Sequence, residues 1–185
     1  MARIPFVTRN DVPENERSAY DAFLQNRGGQ LNSGPYALLL HVPELAQRME
    51  SLRLYIRDQA SVPQKLQELV MITVAREMDC GYIWYAHAAA ARSAGVRGDV
   101  IDAIREKRAL TDLGPDEQTV VDFARELLRE RKVSKSTFER ASVSFGQRGT
   151  LILTNLVASY AMLAYNMNTY ELQAPAHATE PALPV

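Results

Sequence analysis

Cysteine is nearly absent from this sequence: its 185 residues include one, Cys80. A disulfide framework within the chain is therefore excluded, and a reducing, cytoplasmic setting is expected. A surplus of charge of either sign is also missing. The net charge is −1 and no dense Lys/Arg run with interleaved aromatics occurs, so no nucleic-acid partner is expected. The opening stretch, MARIPFVTRNDVPENERS, lacks the apolar core of a secretory signal. Clean long apolar runs are lacking too. The longest, TLILTNLVASYAMLAYNM, is interrupted by Asn155, Ser159 and Asn166 and reads as a buried core helix, with no membrane partner expected. Sustained alternation and Asn-Gly or Asp-Gly hairpin turns are absent, which argues against a β domain. There is no solenoid-length repeat, no Gly-rich phosphate loop and no serine nucleophile elbow.

What is present is helical punctuation. Asp11 and Pro13 open DVPENERSAYDAFLQNRGG, which stops at Gly28-Gly29. Pro43 opens PELAQRMESLRLYIRDQA, and Ser61 with Pro63 opens SVPQKLQELVMITVAREMD. Asp79 is read as the cap of CGYIWYAHAAAARSAG, which Gly95 closes. RGDVIDAIREKR is a short amphipathic helix. GPDEQTVVDFARELLRERK carries Pro115 and acids first and basic residues last, matching the helix dipole. Ser134 caps SKSTFERASVSFG, and an apolar segment from Gln147 to about Tyr170 follows. The expectation is one all-α domain over residues 1–172, with 1–10 as an N-terminal arm and the Pro/Ala-rich 173–185 as a disordered tail. Segments 81–94 and 150–167 are apolar nearly all round, which fits oligomerisation.

Three residues invite chemistry. Cys80 and His87 are seven apart, so on a helix they share a face, ~20° apart in azimuth and ~10 Å along the axis. That separation suits two walls of one pocket rather than direct contact. Cys80 falls in a first helical turn, where exposed N–H groups lower a thiol's pKa, with Asp79 opposing; it reads equally as an inert buried cysteine. His87 shares its face with Ile83 and Trp84 and precedes four alanines, as a proton donor or acceptor or as a satisfied core histidine. Glu68 stands among Met71, Ile72 and Ala75 at helical spacing. If that face turns inward, desolvation would raise its pKa toward neutrality; otherwise it sits with Gln64 and Lys65 on a solvated edge. Tyr82 could add a hydroxyl. Arg76, Arg92 and Arg148 are candidate carboxylate clamps. His41 and His177 look incidental, and no metal site with recognisable spacing is expected.

The spacing of Glu68, eleven residues, Cys80, two residues, Ile83, three residues, His87 resembles the signature of the carboxymuconolactone decarboxylase and alkylhydroperoxidase D-like superfamily. In its peroxidase branch the pattern is Glu, eleven residues, Cys-x-x-Cys, three residues, His. MARIPFV, AREMDCGYIWYAHAAAARSAGV and VVDFARELLRERKVS are similar to segments of the decarboxylase-type proteins. The resemblance implies an all-α helical bundle whose core is the motif-bearing helix pair, assembled as a dimer, trimer or hexamer. It also implies that Glu68 and His87 line a shared pocket. Ile83 stands where the second motif cysteine would be, so dithiol–disulfide turnover within one subunit is excluded.

The reading that follows is a cofactor-free lyase acting on a small carboxylated lactone or similar carbon acid, in the catabolism of aromatic compounds. His87 would reprotonate carbon, Glu68 would be its proton partner, Cys80 a pocket wall or weak donor and Tyr82 an oxyanion donor. Trp84, Ile83 and Arg76 would contact substrate. Two alternatives stand: a one-cysteine peroxidase using an outside thiol reductant, and a non-catalytic helical oligomer.

Overall fold

The segment that follows Pro63, QKLQELVMITVARE, becomes the central helix. In a computed structural model that describes residues 2–29, 31, 34–59, 61–174 and 180–184, eight helices follow one another. They are α1 (Arg17–Gln25), α2 (Gly34–Leu39), α3 (Pro43–Arg57), α4 (Gln64–Glu77), α5 (Gly81–Ser93), α6 (Gly98–Arg105), α7 (Pro115–Glu130) and α8 (Lys135–Thr169). Among the described residues there is no strand, and the fold is all-α. None of these helices is long and apolar enough to cross a membrane.

α4 shows no amphipathic stripe because every residue from Leu66 to Arg76 is buried. α5, α7 and α8 pack around it, and α6 closes against α4 and α5. The polar residues taken inside are paired: Gln67 Nε2 donates to the Val62 carbonyl at 2.8 Å, and Thr73 Oγ1 to the Leu69 carbonyl at 2.8 Å. Ala88 and Ala91 are fully buried on α5, and their small side chains permit close helix packing. α3 crosses against α1 and α8 and thereby reaches the α4–α5 pair from the side.

Local chemistry sets most helix ends where the sequence puts them. Pro43 starts α3, Pro63 precedes α4, Pro115 starts α7, and the Ser134 hydroxyl accepts the Thr137 N–H at 3.3 Å. Two expected starts fail. α1 begins at Arg17 and not near Asp11, because the Asp11 carboxylate turns back to accept from the N–H and hydroxyl of Thr8 at 2.8 and 2.7 Å. Val12, ahead of Pro13, is then extended, as a residue before proline prefers. Asp79 does not cap α5 either. It adopts a left-handed φ of 48° and pairs with Arg76 and Lys107, leaving Cys80 at the cap position.

The two helices expected on either side of Gly146 are both present within α8, separated by a kink where Gly146 takes the non-helical φ 65° and ψ 180°. Beyond the bend the apolar run is not the fully buried helix its composition suggests. Ile152, Leu153, Leu156, Val157, Tyr160 and Leu163 face the core, while Leu151, Asn155, Ala158, Met162 and Tyr165 are exposed. Of the expected tail, residues 175–179 and 185 lie outside the described residues. Residues 180–184 rest on α4 and α5: Trp84 Nε1 donates to the Pro181 carbonyl at 2.9 Å, Arg76 Nη1 to that of Pro184 at 2.7 Å, and Leu183 is buried.

Candidate active site

Glu68, in the second turn of the buried helix α4, has a side chain only 1% exposed. A carboxylate at that depth requires partners. Arg57, the last residue of α3, donates from Nη2 to Glu68 Oε1 at 2.8 Å, and His87 on α5 donates from Nδ1 to Oε2 at 2.8 Å. The solvated-edge alternative for Glu68 is thus excluded. The ring of His87 meets Tyr160 of α8 edge-on, with centroids 5.1 Å apart at 79°. With Nδ1 committed to Glu68, Nε2 has no hydrogen-bond partner among the described residues.

His87 borders a cavity of about 260 Å³ whose other walls include Ile83, Tyr82, Tyr160, Tyr36, Arg27, Arg53 and Arg57. Its far side is a second charged cluster. Arg53 grips Glu50 with two hydrogen bonds, at 2.7 and 2.9 Å, and Arg27 pairs with the same carboxylate. The guanidinium of Arg27 lies 4.5 Å from the centroid of the Tyr36 ring, and that of Arg53 6.0 Å. Burial opposes ionisation of Glu50, but the hydrogen bonds from these cations prevail and hold its carboxyl at about 2. Burial pushes the phenols of Tyr36, Tyr82 and Tyr160 up, so all three remain donors at neutral pH. Three arginines against two carboxylates leave the cavity one positive charge in excess.

The expected site residues divide. His87, Ile83 and Tyr82 line this cavity, with Glu68 buried behind the His87 ring. Cys80 does not line it: the thiol is 1% exposed, and burial pushes its pKa up against the pull of the Ile83 and Tyr82 N–H groups. Trp84 turns to a different cavity, of about 340 Å³, between α5 and residues 172–174 and 180–183. Arg76 is engaged elsewhere through Nη1 and Nη2, with the Arg105 and Pro184 carbonyls and Asp79, and does not line the His87 cavity. Arg92 pairs with Glu180, and Arg148 donates to Gln59. Among the described residues no cluster of three His, Cys, Asp or Glu side chains is poised to hold a metal ion, and His177 lies outside them.

Sequence reasoning missed the cations that do face the cavity. A signal existed on α3, where Glu50, Arg53 and Arg57 fall on one helix face at i, i+3 and i+7. Arg27, beside the Gly28-Gly29 stop, and Tyr160, on α8, had no local signal.

Residues 43–126 match the carboxymuconolactone decarboxylase family. No curated protein matches the sequence. Among solved structures, the chain is similar to an uncharacterized peroxidase-related protein with an alkylhydroperoxidase AhpD core from Ralstonia eutropha JMP134. The TM-score is 0.74, at 17% identity over 95% of this chain and 93% of that one. A peroxidase-related protein from Silicibacter sp. TM1040 gives 0.71, at 14% identity over 96% and 93%. The debrominase Bmp8, in complex with 2,3,4-tribromopyrrole, gives 0.70, at 15% identity over 94% and 91%. The matched segment holds Arg53, Arg57, Glu68 and His87 together, and the fold is the one these AhpD-like structures share.

Proposed function

We propose that the protein is an acid/base enzyme of the decarboxylase type, acting on a small carboxylated lactone or a similar carbon acid. One observation carries the reading: a buried Glu68 fixes Nδ1 of His87 at 2.8 Å while the ring borders a cavity. Such a pair is oriented for proton transfer through Nε2, which needs no thiol. The excess positive charge supports an anionic substrate and the enolate it would form.

In the decarboxylation the bond from carbon to the departing carboxylate breaks, and its electron pair moves through the ring double bond onto the lactone carbonyl oxygen. Arg57 and the protonated phenols of Tyr82 and Tyr160 are the donors available to that oxygen. The imidazolium of His87 then gives its Nε2 proton to carbon, the enolate's electron pair forming the new C–H bond as the carbonyl reforms and the imidazole is left neutral. Glu68 holds the imidazole in one orientation and balances its charge when protonated, and water restores the proton after release. The same groups would also serve an isomerisation beside a carbonyl. The one-cysteine peroxidase loses support from the burial of Cys80 and its absence from the cavity wall.

A panel of small lactone acids, followed by CO2 release and by loss of ultraviolet absorbance, tests the reading. His87→Ala is expected to remove roughly 10²–10⁴ of the rate, whereas Cys80→Ser leaves most of it. Turnover that survives His87→Ala, or peroxide consumption that disappears with Cys80→Ser, overturns it.

A further inference from the structure

The cavity of about 340 Å³ at Trp84 stands apart from His87 and from the arginine cluster. Tyr82, Trp84 and Tyr85 of α5 form one side of it, and Leu172 and Leu183 belong to the chain that covers it. The rings of Tyr82 and Tyr85 meet edge-on, with centroids 5.9 Å apart at 72°. The cover is fastened at several points. Trp84 Nε1 donates to the Pro181 carbonyl at 2.9 Å, Arg92 donates to both carboxylate oxygens of Glu180 at 3.0 Å, and Leu183 is buried. An apolar cavity of ~150 Å³ already holds benzene, so this one has room for a substituted ring.

We propose that this cavity is a binding site for a small uncharged aromatic compound, separate from the His87 cavity. The three aromatic side chains and the Met167 thioether favour a ring, which they can meet by edge, face and sulfur contact. The polar atoms of the wall select against charge. No Lys, Arg or His lies among the described residues that line it. Its carboxylates are already matched: Asp79 by Arg76 and Lys107, Glu171 by Arg3, Glu180 by Arg92. An anion therefore meets carboxylates without a free cation, and a cation meets no unmatched carboxylate. The amide N–H groups are spent as well, Asn168 Nδ2 on the Met78 carbonyl at 2.8 Å and Gln173 Nε2 on that of Glu171 at 3.1 Å. What remains is acceptor oxygen, which suits one hydroxyl on the ring. Tyr82 and Met167 also wall the His87 cavity, so the occupant touches two side chains that the anion site uses. The two cavities thus divide by charge, the arginines taking an anion and Trp84 a neutral ring.

Titration of the full chain with phenol, neutral at pH 7, and with benzoate tests this. Trp84 is the chain's single tryptophan and does not line the His87 cavity, so its emission reports the proposed site. Phenol is expected to change that emission saturably, and benzoate to bind at least ~10-fold more weakly. Gly81 lies on the wall, and a Cβ there meets no atom within 4 Å. Gly81→Leu should therefore take up the space and weaken phenol at least ~10-fold, with helical circular dichroism unchanged. Leu183→Ala, which loosens the cover, should weaken it in the same direction. Emission that phenol leaves unchanged or quenches without saturation overturns the proposal. So does benzoate bound as tightly as phenol, or wild-type phenol affinity in both variants. Neither result depends on turnover at His87.

Discussion

Cys80 is the residue whose behaviour separates proton-transfer from peroxide chemistry most cleanly. Its side chain is 1% exposed and burial moves the thiol above its usual range. A thiol pushed upward in this way is held mainly in its protonated, unreactive form at neutral pH. Access adds a second factor. The Cys80 N–H donates to the Ala75 carbonyl at 2.8 Å and the Trp84 N–H to the Cys80 carbonyl at 3.1 Å, so a bulky reagent must first open the start of α5. An opening free energy of roughly 3–5 kcal/mol, ordinary for a core element, slows access by a further ~10²–10³. The native thiol should therefore react with an aromatic disulfide at least ~10² more slowly at pH 7 than the thiol of the urea-unfolded chain. Its rate should still be rising at pH 9. Stopped-flow traces of both states between pH 6 and 10 supply the comparison. Native and unfolded rates within a factor of ten, with a plateau below pH 8 and clean sulfenic acid formation under mild peroxide, would refute the reasoning and favour the one-cysteine peroxidase.

Three further outcomes follow from the same contacts. Glu68→Gln keeps the volume but removes the carboxylate between Arg57 and His87, and urea denaturation should show a loss of roughly 1–3 kcal/mol; no loss would mean the pair is not closed in solution. Glu50 is held at about 2, below its ordinary 4.5, so its contribution is present above pH 4.5 and fades as pH falls toward 2. At pH 7 that contribution is at most roughly 3 kcal/mol and at pH 3 at most about half of it, so the stability gap between wild type and Glu50→Gln should narrow on acidification. A Cβ on Gly149 would meet the Phe145 Cβ at 2.6 Å and the Ser61 carbonyl oxygen at 3.1 Å, so Gly149→Ala should cost roughly 1–3 kcal/mol in a thermal melt, where a neutral result would show that α8 can shift away from the start of α4.

The parts of this molecule legible in its sequence are those set by neighbours a few residues away. Pro43, Pro63, Gly95, Pro115 and Ser134 each act on their own turn of backbone, and the helix ends they announce are where they stand. Asp11 and Asp79 were legible as cap types but not as caps, because each carboxylate found another partner, Thr8 for one and Arg76 with Lys107 for the other. For the site, the Glu68–Cys80–His87 spacing places two of its members at one hydrogen bond. It says nothing of Arg57, eleven residues before Glu68, which α3 delivers from the side. Arg76 illustrates the opposite error. It lies nearer in sequence to His87 than Arg57 does, yet its guanidinium is occupied by Arg105, Pro184 and Asp79.

Where the substrate's charge would rest follows from the same asymmetry. Glu68 is matched by Arg57, and Glu50 by Arg53 and Arg27, so three arginines face two carboxylates and, among the described residues, the cavity wall holds no third. An anion entering there completes the balance, and a second would have to displace one of the existing pairs. Ile83, which walls the cavity one helical turn before His87, adds apolar surface there. Such surface strengthens every charge interaction in the cavity and disfavours water at a carbanion. The isoleucine that removes dithiol chemistry from this chain is, by its volume and its lack of a proton, suited to the acid/base chemistry proposed for His87.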